Sequence, residues 1–261
     1  MLKTIEFLEK LNSFAPLELS EKMVEQGGYD NSGLLVHLSE NVSGVLFTLD
    51  LSDVAVKKAK ALGVNTIVTH HPAIYNPVLE LSSFDKKSSA LTNAIKSGLN
   101  VISMHLNLDI CEQGIDASLC YALGGREYKI INYIDQTHGY GREFKLNVTL
   151  NKFVSDIKKR FATKKVLCYG NKNAQINSVA SFCGAGGHDA VKYVQNGGIA
   201  DVIVTSDIPH HEIKEIIENG KSLIILPHYV AEEYGFNKFY EWAKKEFGNL
   251  PTHYFADKRF K

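Results

Sequence analysis

One seven-residue pattern occurs twice in this chain, and it constrains the fold more than any other feature. Gly63-Val-Asn-Thr-Ile-Val-Thr69 returns as Ile199-Ala-Asp-Val-Ile-Val-Thr205. Short β-branched runs of this kind suit buried parallel strands. The flanking sequence alternates in the same way around both. In the first half the expected order is strand 44–49, helix 54–62 with Ser52 as N-cap, strand 64–69, helix 86–97 and strand 100–104. In the second half it is strand 179–183, helix 189–195, strand 200–205, helix 212–218 and strand 222–226. Strands alternating with helices imply parallel pairing with crossover helices. The expected fold is therefore α/β, with two interlinked lobes built from a duplicated βαβαβ unit.

The remaining stretches fill in around that pair. Ile5, Leu8 and Leu11 form a helical stripe over 4–14, and Pro16 opens a second short helix that stops at Gly27-Gly28. Tyr29-Asp-Asn-Ser-Gly33 reads either as a plain turn or as a substrate-contacting loop. A helix over 115–123 ends at Gly124-Gly125. Residues 126–177 break the alternation, with strands at 128–134, 144–150 and 166–169 and a helix at 153–161. They read as a small α+β insertion or lid, with His138 as a solvent-exposed residue in the turn-rich Thr137–Gly141 stretch. The expected division is 1–125 as the first α/β lobe with its N-terminal helices, 126–177 as the α+β middle segment, and 178–261 as the second repeat.

The 261 residues carry a formal net charge of zero, so no general electrostatic footprint for nucleic acid exists. No apolar run approaches the roughly 20 residues of a membrane span. Glu6 and Glu9 interrupt the N-terminal apolar pattern, which reads as an amphipathic helix and not as a signal peptide. Four cysteines without CxxC spacing point to reduced thiols and a cytoplasmic protein.

The candidate chemistry sits where strands end. The first repeated run leads into His70-His71-Pro72, and ligands bind outside the carboxyl ends of strands in open α/β sheets. Aligning Gly98 with Gly220 pairs His105 with His228 and Asp109 with Glu232, so both halves close on a histidine and a carboxylate four residues later. Imidazole and carboxylate without thiolate suit a borderline to hard divalent ion such as Zn, Fe or Mn. Adjacent histidines on an extended backbone diverge, which favours two metals over one, with Glu232 or Asp109 as the bridge. His105 reads either as a ligand or as a group orienting Asp109. In the second half Ser206 and Asp207 stand where the first has His70 and His71, and His210-His211 read as an exposed helix start. Gly184-Ala-Gly186-Gly187 reads as a weak phosphate cradle or as tight strand–helix packing.

These residues together give the chain its resemblance to a known family. Tyr29-Asp-Asn-Ser-Gly-Leu34, Leu49-Asp50, Thr69-His-His-Pro72 and His105-Leu-Asn-Leu-Asp109 resemble motifs of the GTP cyclohydrolase 1 type 2 homologues, the YbgI-like dinuclear metal proteins. So do Gly184-Ala-Gly186, Thr205-Ser-Asp207 with His210-His211, and Pro227-His-Tyr-Val-Ala-Glu232. The resemblance implies two divalent cations held by His70, His71, Asp109, His228 and a shared Glu232. It also implies a homohexamer and hydrolysis of GTP to dihydroneopterin triphosphate with release of formate, Asp109 or His105 moving the proton. Tyr29 replaces the usual Trp, Ser206 and Pro227 the usual glycines, and Ala231 the usual Thr; no ligand is lost. Two other readings remain open: a binuclear phosphoesterase or amidohydrolase of another small molecule, and a non-catalytic metal-binding interaction protein. The partners expected are a small-molecule substrate, GTP in the leading reading, and further copies of the chain, with neither nucleic acid nor membrane.

Overall fold

A computed structural model describes residues 2–85 and 88–261. In chain order, β1 is Leu2–Lys3, α1 Thr4–Phe14, α2 Leu17–Glu25, β2 Gly33–Val36, β3 Asn41–Val42 and β4 Val45–Thr48. Helix α3 (Asp53–Leu62) starts where Ser52 Oγ accepts the Ala55 amide at 3.2 Å and stops at Gly63, whose φ of 67° suits a residue without Cβ. Then come β5 (Thr66–Thr69), α4 (Ser89–Lys96), β6 (Asn100–Ser103), α5 (Leu106–Ile110), α6 (Ile115–Ala122), β7 (Tyr128–Tyr133) and β8 (Gly139–Thr149). The chain continues through α7 (Leu150–Arg160), β9 (Leu167–Tyr169), β10 (Gln175–Ser181), α8 (Gly187–Gln195), β11 (Val202–Thr205) and α9 (His210–Glu218). It closes with β12 (Ser222–Ile225), α10 (His228–Glu246), β13 (Thr252–Tyr254) and a 3-10 turn at Lys258–Phe260. Two residues of the helix expected over 86–97, Lys86 and Lys87, lie outside the described residues. No helix among the described residues is long and apolar enough to cross a membrane.

The chain forms two compact units, one of residues 1–111 with 236–257, the other of 112–235 with 258–261. In the first, the strand order is β13-β4-β5-β6-β2. The strands β13, β4, β5 and β6 are parallel neighbours, and β2 is antiparallel on β6. All residues of β4, β5 and β6 are buried, because both faces of the sheet are covered. Leu46, Ile67 and Val101 pack with Ala55, Val56, Ala59, Leu91 and Ala94 of α3 and α4. On the other face Phe47 meets Phe236, Phe239 and Tyr240 of α10. Thr48, Thr69 and Ser103 end the three parallel strands in register.

In the second unit the order is β7-β8-β10-β11-β12-β9, with β10, β11 and β12 parallel. Its core gathers Ala180, Phe182, Ile203 and Leu223 with Ala190, Val191 and Val194 of α8 and Ile216 of α9. A strand–helix–strand–helix–strand run of parallel neighbours is thus present in each unit.

The expected division at 125/126 and 177/178 does not match these units. Residues 126–177 are no separate insertion or lid: β7 and β8 extend one edge of the second sheet and β9 caps the other, all antiparallel. Antiparallel edge strands continue a parallel core through backbone hydrogen bonds alone, so a change in sequence periodicity need not mark a new domain. Strand β8 also begins earlier than 144, since Gly139 and Gly141 lie within it. A Cβ on Gly141 would come within 2.6 Å of the Phe182 ring, so glycine here marks close packing and not a loop. His138 is half-buried in the hairpin turn, 3.0 Å from Asp135 Oδ1, and not simply exposed.

Candidate metal centre

In the first unit the carboxyl ends of β4, β5 and β6 gather four of the expected residues. Beyond Thr69 the backbone does not remain extended: the amides of His70 and His71 both donate to Leu49 O, at 3.1 and 3.0 Å. The two rings therefore lie side by side, centroids 4.9 Å apart, and do not diverge as an extended strand would require. His105 follows β6, and the single turn α5 returns Asp109 to the same place, its amide donating to His105 O at 2.9 Å. The His70 and His105 centroids are 5.1 Å apart. Ligand atoms of His70, His105 and Asp109 all lie within 4.8 Å of one another, and this group could hold a metal ion.

What holds each imidazole decides which nitrogen it presents. His70, fully buried, has Nδ1 2.9 Å from Met104 O. A carbonyl only accepts, so Nδ1 carries a proton there, and Nε2 stands 3.5 Å from Asp109 Oδ1. His71 Nδ1 donates to Asp50 Oδ1 at 2.7 Å, and His105 Nδ1 to Asp30 Oδ1 at 2.7 Å. Burial alone would raise the Asp30 pKa, but the hydrogen bonds from His105 and Ser32 outweigh it and hold the carboxyl below the ordinary aspartate range. Ser20 also donates to Asp30. The Tyr29–Gly33 stretch is therefore more than a plain turn, because its aspartate anchors a candidate site residue.

In the second unit His228 opens α10 and Glu232 lies one turn on. His228 Nδ1 donates to Asp207 Oδ2 at 2.7 Å, and its Nε2 is 2.8 Å from the buried Glu232 Oε1. Gly184, at φ +58°, covers this pair; a Cβ there would stand 2.3 Å from Glu232 Oε1 and 3.5 Å from His228 Nε2. The Gly184 backbone is held from both sides, its carbonyl accepting the Asp207 amide at 3.2 Å while the preceding Cys183 amide donates to Asp116 Oδ1 at 3.2 Å. Asp116 pairs with buried Arg142 at 2.9 Å; burial pushes its carboxyl pKa up and the guanidinium only partly offsets this. A Cβ on Gly187 would meet Asp207 O at 2.6 Å, so the glycine run serves tight packing, in place of the phosphate cradle considered for it. His210 and His211 are exposed at the start of α9, as expected.

The imidazoles stand out in the sequence, whereas the groups that hold them are identified by the fold. Asp30, Asp50 and Asp207 each fix one histidine, as outer carboxylates do in metal sites. A signal existed for two of them: Asp50 follows a parallel strand as His70 follows the next, and Asp207 aligns with His71 in the repeated pattern. The donor set fits a divalent ion, since His70, His71 and His228 each have Nδ1 committed to an acceptor, which leaves Nε2 as the atom a metal could take, and His105 is held in the same way.

A model of the Duf34/NIF3 (NGG1p interacting factor 3) family matches residues 2–258. A GTP cyclohydrolase 1 type 2 homolog of Clostridium perfringens is 27% identical over 236 residues, 88% of this chain and 87% of that protein. A protein of the same name from Methanocaldococcus jannaschii is 28% identical over 245 residues, 92% and 94% of the two chains. The crystal structure of Staphylococcus aureus protein SA1388 superposes with a TM-score of 0.84 at 27% identity, covering 98% of this chain and 97% of that one.

Proposed function

From membership of the Duf34/NIF3 family, to which this chain belongs, we propose a dinuclear metal-dependent hydrolase of the GTP cyclohydrolase type. The reaction proposed is attack of two waters at C8 of GTP, which opens the guanine imidazole ring and releases C8 as formate; the ribose then rearranges and closes onto the freed amine with loss of one water, giving dihydroneopterin triphosphate. One observation carries the metal half of the reading: four imidazoles whose Nδ1 atoms are tied to Met104 O, Asp50, Asp30 and Asp207. The guanine half is supported by the names of the curated relatives.

His70, His71, Asp109, His228 and Glu232 are the proposed ligands of two divalent cations, with Glu232 shared between them. Such ions supply Lewis acidity and lower the pKa of water toward neutrality. The protein's own groups do the rest. Asp50 and Asp207 orient the rings of His71 and His228, and Gly184 keeps the space beside Glu232 clear. His105, steadied by the Asp30 carboxylate, moves a proton at Nε2, or Asp109 does so at a carboxylate oxygen. A homohexamer is proposed with this reading; light scattering should give about six times the 29.0 kDa chain mass, and a monomer or dimer would refute it.

The deciding experiment incubates the metal-loaded protein with GTP and follows formate and, after oxidation, a fluorescent pterin. Both products are expected, and both should vanish in Glu232→Ala. Turnover of a generic phosphodiester or amide without pterin would replace the reading by another hydrolase. Tight metal binding with no turnover of any of these would replace it by a non-catalytic metal protein.

A further inference from the structure

Two aromatic side chains stand out in the first unit because they are large, exposed and held in place. Tyr29 is 49% and Tyr75 45% exposed, yet their rings meet edge to face, centroids 5.0 Å apart at 78°. Hydrogen bonds tie the loops that carry them: Tyr29 Oη donates to Tyr75 O, and Asn31 Nδ2 to Ile74 O at 2.6 Å. The corner does not stand apart from the candidate centre. Tyr75 lies perpendicular to His105 with centroids 6.3 Å apart, and His105 is 5.9 Å from His71. Asp30, between Tyr29 and Asn31 in sequence, holds the His105 ring.

Rings at right angles form a corner with one π face and one polarised C–H edge, and a flat ring is the shape that satisfies both. The ties between the loops mean that little order has to be gained on binding. We propose that Tyr29 and Tyr75 form a stacking platform for a planar heteroaromatic ring of the substrate, such as a nucleobase, and present it to the His70–His71–His105 group. The inference deepens the proposed function, resting on the reading that substrate is transformed at that group, and it makes Tyr29 and Tyr75 determinants of substrate class. Stacking tolerates any base, because every base has a π face. The platform thus selects for a flat ring and not for guanine over adenine.

The test is calorimetric titration of the full-length, metal-loaded protein with guanosine 5′-monophosphate, adenosine 5′-monophosphate and ribose 5-phosphate, which differ only in the base. Wild type should bind the two nucleotides at least about tenfold more tightly than the sugar phosphate. That advantage should fall about tenfold in Tyr75→Ala and in Tyr29→Ala, the size of one base–aromatic stack. Tyr75→Phe, which keeps the ring and the backbone carbonyl, should retain it. Equal affinity for nucleotide and sugar phosphate, an advantage undiminished in both alanine variants, or no nucleotide binding at all would overturn the proposal. The two readings fail separately: a base advantage that depends on both tyrosines upholds the platform even if GTP yields no pterin. Pterin formation with no such dependence upholds the reaction and removes the platform.

Discussion

At the scale of single residues, which nitrogen a histidine offers a metal is set by what holds the other one. Neutral imidazole has one donor and one acceptor nitrogen, and its tautomer follows the partner of the other nitrogen. Asp50 and Asp207 perform this service for His71 and His228, each at 2.7 Å. Asp50→Asn and Asp207→Asn should each weaken divalent-metal affinity by about 10–100-fold, the usual cost of losing the carboxylate that orients a ligating imidazole. Competition with a chromophoric chelator would measure it. Asp135→Asn, which faces His138 in the hairpin turn, serves as the control and should leave affinity unchanged. Wild-type affinity in both site variants would show that the carboxylates orient nothing of consequence.

At the scale of elements, the parallel strands deliver residues to one edge, but short irregular pieces aim them. His70 and His71 share Leu49 O as acceptor, α5 is only one turn long, and Gly184 takes a left-handed conformation. The buried Asp116–Arg142 pair belongs to the same class of device, since Asp116 also accepts the Cys183 and Gly141 amides and so ties α6 to β8 and to the turn after β10. Removing one partner of a buried pair leaves the other charge without compensation. Asp116→Ala should therefore cost about 3–5 kcal/mol, read from urea unfolding. A loss below about 1 kcal/mol would mean that Arg142 finds water or another acceptor when the carboxylate is gone.

At the scale of the whole molecule, the first unit is assembled from two distant pieces of chain. Its sheet needs β13 beside β4, and its aromatic face needs Phe236, Phe239 and Tyr240 against Phe47. Ending the chain after Gly235 should expose Phe47 and leave β4 as an unpaired sheet edge, a recognised route to aggregation. Expression of residues 1–235 should give insoluble protein or a species without a cooperative thermal transition. A soluble fragment with a sharp melt would show that the N-terminal strands and helices suffice.

Periodicity and composition carried the regular part of the structure. Val64 to Thr69 and Ala200 to Thr205 read as buried strands because β-branched residues bounded by glycine or proline allow little else. Ser52 and Gly63 marked both ends of α3 through local chemistry that needs no tertiary contact. His105, Asp109, His228 and Glu232 stood out because a histidine and a carboxylate recur at the ends of matching runs, and His70 and His71 because they follow the first of the repeated strands. Other features depended on contacts between residues far apart in sequence. Asp30 and Asp50 approach His105 and His71 only once β2, β4, β5 and β6 pair, and Asp207 approaches His228 only when β11 and β12 lie side by side. Residues 126–177 join the second sheet because the backbone of β8 hydrogen-bonds to β10, an interaction that leaves no mark on side-chain pattern. Local pattern was enough to pick out the side chains capable of chemistry and the buried parallel strands that carry them. Tertiary structure decided which nitrogen of each imidazole is presented, because that depends on acceptors brought in from other strands.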